Sequence, residues 1–259
     1  MANTIGMVFH FFNEELLMEG FCRHHRKLFD DVIAINHCST DRSVELINKW
    51  CPEWVVVNTA LDSFNAGAND REVEYWETQL STDLKFALNV TEWIFDVNFR
   101  QKCEQFQNAY GNGASDIRAM GLTSVCLVDE IENNSTNPMN HFWGYVDRQC
   151  VTRRPRFVHN ADHGHYALGR HSVGLPAVMS DMLLLHWTFA PYPICRDRKL
   201  QIQTRIPQSD KDARLGWEHI QTKESLHEFY LQHLARAGNL LADPDYSARY
   251  QEYLNDPAF

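Results

Sequence analysis

Leu84-Lys85-Phe86-Ala87-Leu88-Asn89-Val90-Thr91-Glu92-Trp93-Ile94-Phe95 opens apolar, turns polar at Asn89, Thr91 and Glu92, and becomes aromatic again at Trp93. A buried strand delivering oxygen-bearing side chains at its carboxyl end is how open α/β sheets present a ligand site. Period-two alternation puts Asn89 and Thr91 on one side of the strand, with Val90 and Glu92 on the other. Two oxygens on one face could hold a divalent cation that bridges phosphates. The plainer reading of the same stretch is a strand running into a polar turn. The remainder of the chain decides between them.

Working outward, Thr4 to Phe11 reads as a short apolar strand without alternation, buried on both faces. Asn13 follows in cap position, with Glu14 and Glu15 in the first turn of a helix reaching about Phe29. Asp31 to Asn36 is a second buried strand, His37 to Thr40 a turn, and Ser39 or Asp41 caps a helix through Trp50. Trp54 to Asn58 is a third strand, Asp70 to Leu80 a helix, and Lys85 to Val90 the fourth strand. This order implies a largely parallel sheet with Asn13, Asn36 and Asn89 at one edge. Asn98 to Tyr110 reads as a helix and Met120 to Val128 as a strand. Residues 139–181 read as short strands and loops, and Met182 to Phe189 as a strand carrying His186. Helical segments follow Pro193 to about Arg236.

At 259 residues and 44% hydrophobic content the chain can bury a substantial core. No run approaches the roughly 18 apolar residues of a membrane span, and Met1 to Phe12 lacks the pattern of a signal peptide. Seven scattered cysteines, odd in number and without a Cys-x-x-Cys pair, suit free thiols in a reducing compartment; the expected location is the cytoplasm. The sequons at Asn89, Asn133 and Asn134 are then chance matches. The net charge of −10 is uneven, because residues 148–205 carry nine basic and three acidic side chains. An acidic chain with one basic segment is a candidate for binding a compact anion, and its overall charge argues against broad affinity for nucleic acid.

Asn13-Glu14-Glu15, His37-x-Ser39-Thr40-Asp41 after a strand, and a strand ending in Asn89-Val90-Thr91-Glu92 together resemble the nucleotide-sugar glycosyltransferases of GT-A fold, in the "glycosyltransferase two-like" branch. Phe142-Trp143-Gly144, Gly169-Arg170-His171 and Leu185-His186-Trp187 are similar to that branch's later landmarks, so the resemblance covers roughly residues 4–200. It implies an α/β, Rossmann-like, mixed and mainly parallel sheet flanked by helices, with a helical C-terminal extension. The expected division is a catalytic domain over 1–195, its nucleotide half about 1–95 and acceptor half about 96–195, and a helical extension over 196–259 packed on it. The implied activity is transfer of a sugar from a nucleoside diphosphate sugar, uridine favoured, to a hydroxyl acceptor, with inversion. The acceptor would be a carbohydrate, a lipid-linked precursor or a modified base in nucleic acid.

Residue by residue, the resemblance implies that Phe11, Asn13, Glu14 and Asn36 line the base and ribose pocket and that Arg71 lies near the diphosphate. Asn89 and Thr91 occupy the two Asp positions of the metal motif, Glu92 keeps the following acid, and His186 completes the metal or phosphate site. Asn36 stands where a base-binding Asp is common. Asn89 and Thr91 keep oxygens but discard charge, so manganese or magnesium would be held weakly or be dispensable. Arg153, Arg154 or Arg156 could then grip the diphosphate or an anionic acceptor. A general base must take the acceptor proton, for which Asp129, Asp147 and Asp162 are candidates. Two other readings stand beside the transferase. One is a non-catalytic nucleotide-sugar-binding relative; the other is a metallohydrolase using His159, His163, His165, His171 and His186.

Overall fold

In the computed structural model, residues 3–111, 116–128, 135–148, 155–216 and 220–256 are described. Strands Ile5–Phe11 (β1) and Asp31–Asn36 (β2) flank helix Glu15–His25 (α1), and helix Ser43–Trp50 (α2) leads to Val55–Asn58 (β3). Helix Ala66–Glu77 (α3) then leads to Leu84–Asn89 (β4). These four strands are parallel in the order β3-β2-β1-β4, and their registers set Phe11 against Asn36 and His10 against Asn89. The carboxyl ends of β1, β2 and β4 therefore share one edge. The apolar run of β1 is explained by burial on both sides. Phe9 and Phe11 join a large core with Met18 and Phe21 of α1, while Val8 packs with Val73 of α3.

Beyond β4 the sheet turns mixed. Glu92–Phe95 (β5), helix Phe99–Tyr110 (α4), Ala119–Val128 (β6), Trp143–Val146 (β7), Arg156–His159 (β8) and Ala177–Phe189 (β9) follow in sequence. β8 lies antiparallel between β4 and β6, so β6 runs in the same direction as β4. β9 runs parallel to β6 and pairs its second half antiparallel with β5, setting Glu92 against His186. Helices Tyr192–Gln203 (α5), Gln208–Asp212 (α6), Lys223–Leu234 (α7) and Pro244–Asn255 (α8) complete the chain. Between α7 and α8, Gly238–Asn239 (β10) adds to β7 at the sheet edge. Among the described residues no helix is long and apolar enough to cross a membrane.

Four local expectations are corrected. β4 stops at Asn89, whose N–H goes to the Glu92 carboxylate at 2.8 Å. Val90 and Thr91 form a turn, and Asn89 and Thr91 do not share one strand face. Asn13 is not the α1 cap; it sits at φ 51°, a left-handed conformation that Asn tolerates, and Glu14 takes the cap position. Helix α3 begins at Ala66 rather than Asp70, with the Asn65 side chain accepting from the Ala68 N–H. β9 begins at Ala177, five residues before Met182.

Candidate functional site

A cavity of about 190 Å³ opens at the shared strand edge. Its floor is the end of β1 (His10, Phe11) and the turn after β4 (Asn89 to Thr91). Its walls are His186 and Trp187 of β9 and Arg198 and Lys199 of α5. Crevices outside the carboxyl ends of strands are where open α/β sheets bind ligands.

The second loop at this edge is spent on clasping α1. Ser39 Oγ accepts from the Asn13 N–H, Ser43 Oγ from the Glu14 N–H, and Asp41 from the Glu15 N–H, at 2.8–3.0 Å. Asn13 answers by accepting from the Thr40 N–H at 2.8 Å. The helix start that might have met a phosphate is thus satisfied by side chains. Asn36 is likewise engaged, accepting from the Ser39 N–H and donating to Asn58 Oδ1. Glu14 turns its carboxylate to Arg198, with both oxygens 2.7 Å from Nε.

Under the floor lies a buried ionic network. Glu92, fully buried, receives Arg156 Nε at 2.8 Å and Nη2 at 2.7 Å, and Arg156 Nη1 donates to the Gly169 carbonyl at 2.7 Å. Arg170 donates to Asp70 at 2.6 Å and to Asn89 Oδ1 at 2.7 Å, while Asp70 also accepts from the Gly169 N–H. Gly169 holds φ 82°, which suits glycine, and Arg170 follows at φ 59°. This left-handed pair is what presents the Arg170 guanidinium to both Asp70 and Asn89. Burial, followed by the charges of Arg170, His37, Arg156 and Arg198, holds His10 well below the usual imidazole value, so it stays neutral. Burial, then Arg205, also lowers His37, whose ring stacks on Phe64 at 4.1 Å.

This donor set does not fit a manganese or magnesium ion. Asn89 Oδ1 is taken by Arg170, the Glu92 oxygens by Arg156 and the Asn89 N–H, and His186 Nδ1 by Thr188 Oγ1 at 2.8 Å. Such ions are held by one or two carboxylates together with substrate phosphates and water, and here the motif's one carboxylate, Glu92, is committed to Arg156. Among the described residues no group of three or more His, Cys, Asp or Glu is arranged to hold a metal.

Phe11, Glu14, Asn89, Thr91, Glu92 and His186 line the cavity, whereas Asn13 and Asn36, expected in the base pocket, do not. It separates others. Arg71 is exposed on α3 and does not line the cavity. Arg156 is 1% exposed and bound to Glu92, so it is a structural partner rather than a phosphate clamp. Asp162 is exposed, and its carbonyl accepts from Lys85 at the start of β4, the opposite edge of the sheet. Asp147 is buried, with its N–H on the Ser124 carbonyl partway along β6 and away from the cavity. Asp129, Arg153 and Arg154 lie outside the described residues. Among the described residues, most of the basic side chains of 148–205 are paired within the molecule. Arg148 pairs with Asp243 and Asp245, Arg156 with Glu92, Arg170 with Asp70, Arg196 with Asp197 and Arg198 with Glu14. The histidine group does not assemble either, since His159 is buried against Glu77 and Tyr166 while His163 stands beside Glu74.

Sequence reasoning missed His10, Phe64, Arg198, Lys199 and Asp210, all at the cavity. The available signal was Arg196-Asp197-Arg198-Lys199, beginning seven residues after Phe189, the end of an apolar strand that closes in His186-Trp187-Thr188-Phe189.

No family model and no curated protein matches this chain. Among solved structures it is similar to TarS 1-349 of S. aureus in complex with UDP-GlcNAc, at 13% identity and a TM-score of 0.37, over 51% of this chain and 37% of that one. It is also similar to glucosyl-3-phosphoglycerate synthase from Mycobacterium tuberculosis in complex with Mn2+, uridine diphosphate and glucosyl-3-phosphoglycerate. There the identity is 17% and the TM-score 0.33, over 48% of this chain and 44% of that one. The chain spans less than half the length of each of these structures, and likeness of this degree assigns no function.

Proposed function

We propose that this chain is a GT-A-like glycosyltransferase that moves a sugar from a nucleoside diphosphate donor to a hydroxyl acceptor, with inversion and without reliance on a tightly held metal. One observation carries the reading. The cavity lies where parallel β1 and β4 end, and the residues in the metal-motif positions, Asn89, Thr91 and Glu92, form its floor. In this reading Phe11 and Phe12 face the base. Lys199, and Arg198 if it exchanges Glu14 for phosphate, are the described cations lining the cavity that would face the leaving diphosphate, where charge develops in the transition state. Asp129 is the candidate base that remains, because it follows Val128 in sequence and Asp147 and Asp162 lie away from the cavity. The acceptor of this reading is a carbohydrate or lipid-linked hydroxyl. Transfer to a modified base loses its support with the pairing of the basic segment.

The test is a thermal-shift panel of nucleotide sugars followed by transfer assays on the donor that binds. A raised melting temperature with one nucleoside diphosphate sugar, and transfer abolished by Asp129→Asn, support the reading. Binding without transfer by the parent protein identifies a nucleotide-sugar-binding relative instead. Absence of any shift across the panel removes the donor site.

A further inference from the structure

The residues after α5 cross the mouth of the cavity as a strap, Thr204 to Gly216. The Arg205 carbonyl accepts from the Phe64 N–H at 2.8 Å. Its guanidinium lies over the Phe12 ring at 5.5 Å and reaches His37 Nδ1 at 3.4 Å. Asp210, 3% exposed, then caps the start of α3, accepting from Asn65 Nδ2 at 2.7 Å and from the Ala66 N–H at 2.8 Å. Ile206 and Leu215 add apolar lining. The strap thus places a planar cation on an aromatic ring beside the end of β1, and a carboxylate on a helix N-terminus. These are the two kinds of contact that a nucleobase and a phosphate would otherwise make.

The space left beneath it is smaller than such ligands usually occupy. Sites for drug-sized ligands and cofactors occupy about 300–1,000 Å³, against about 190 Å³ here. We infer that the strap is a built-in competitor of the donor: Asp210 on the α3 start and Arg205 on Phe12 hold the strap over the cavity and narrow it, and the strap lifts to admit a nucleoside diphosphate. The inference rests on the donor reading given above. The pins that single substitutions can release are polar, Arg205 next to α5 and Asp210 midway along the strap, and buried Ile206 adds an apolar contact between them. α5 stays anchored through buried Cys195, Lys199 and Ile202, so Thr204 is where the motion hinges. A site competent only when the strap is raised binds with an apparent Kd weakened by the fraction open.

The experiment compares the parent with Asp210→Ala and Arg205→Ala in two arms. Hydrogen exchange without ligand reads whether the strap opens apart from the sheet. The expected result is faster exchange at 204–216 and at the α3 start in both variants, with β1 and β4 unchanged. Calorimetry with uridine diphosphate reads the competition, with affinity expected to rise about tenfold or more in Asp210→Ala. In the parent, saturating nucleotide should raise exchange across the strap. Strap amides as protected as those of β4, and released only with global unfolding, would overturn the inference. So would weaker nucleotide binding in Asp210→Ala, which would make the strap a wall of the site rather than its competitor. Faster strap exchange in the variants, with no nucleotide bound by any of the three proteins, supports the opening and removes the donor reading instead.

Discussion

Replacing Arg156 with Met keeps much of the side-chain volume but strips the Glu92 carboxylate of its two-point guanidinium partner. Both side chains are at most 1% exposed, so no water replaces the lost bonds. The Asn89 N–H remains as a backbone donor to Glu92, and the Gly169 carbonyl loses its Arg156 bond. Breaking a buried pair from one side costs about 3–5 kcal/mol, because the surviving charge is left in the interior. At about 2–4 °C per kcal/mol for a chain of this size, the melting temperature should fall by about 6–20 °C. Glu92→Gln introduced into Arg156→Met removes the stranded charge while leaving an acceptor for the Asn89 N–H. The double variant should therefore be more stable than the Arg156→Met protein. Urea unfolding of the parent, both single variants and the double variant gives the coupling directly, with about 1.5–3 kcal/mol expected for contacting groups. An Arg156→Met cost below about 1 kcal/mol, or effects additive within about 0.5 kcal/mol, would refute the claim that this pair holds the cavity floor.

Transfer activity should survive chelator. Asn89→Asp with Thr91→Asp should tighten manganese binding only in part, since a carboxylate at 89 would meet Arg170; full loss of parent activity in chelator, restored by micromolar manganese, would contradict both statements. Burial lowers the buried His24 from 6.5 to about 4, so the stability it carries is complete above 6.5 and is lost as pH falls toward 4, at about 1.4 kcal/mol per pH unit. His24→Gln should remove about one proton from that slope, which urea unfolding from pH 7 to 4 would show. A Cβ at Gly144 would stand 2.2 Å from the Cys126 carbonyl oxygen across the β6–β7 pair. Gly144→Ala should therefore cost about 1–3 kcal/mol by the same assay, and an unchanged midpoint would show that the two strands can spread.

The parallel half of the sheet was legible because β1, β2 and β4 are each buried on both faces and so read as mainly apolar runs without alternation. The start of α3 was not, since Ala66-Gly67-Ala68 carries little periodicity and its cap partner Asp210 lies 144 residues on. Charge was the quantity most misread. Segment composition made 148–205 a positive face, yet Arg148, Arg170 and Arg198 find their acids 95, 100 and 184 residues away. A count along the chain cannot distinguish a solvated arginine from a paired one.

Local context could have done so. Arg156 opens Arg156-Phe157-Val158-His159 and Glu92 opens Glu92-Trp93-Ile94-Phe95, each a charge set at the head of an otherwise apolar strand. An ion in such a setting is costly to bury alone and becomes tolerable only beside its opposite. Two isolated charges of opposite sign, each embedded in a buried strand, are therefore a prediction of contact between those strands' ends. Here that contact lies beneath the floor of the cavity, and it uses up the one acid that the metal motif had kept.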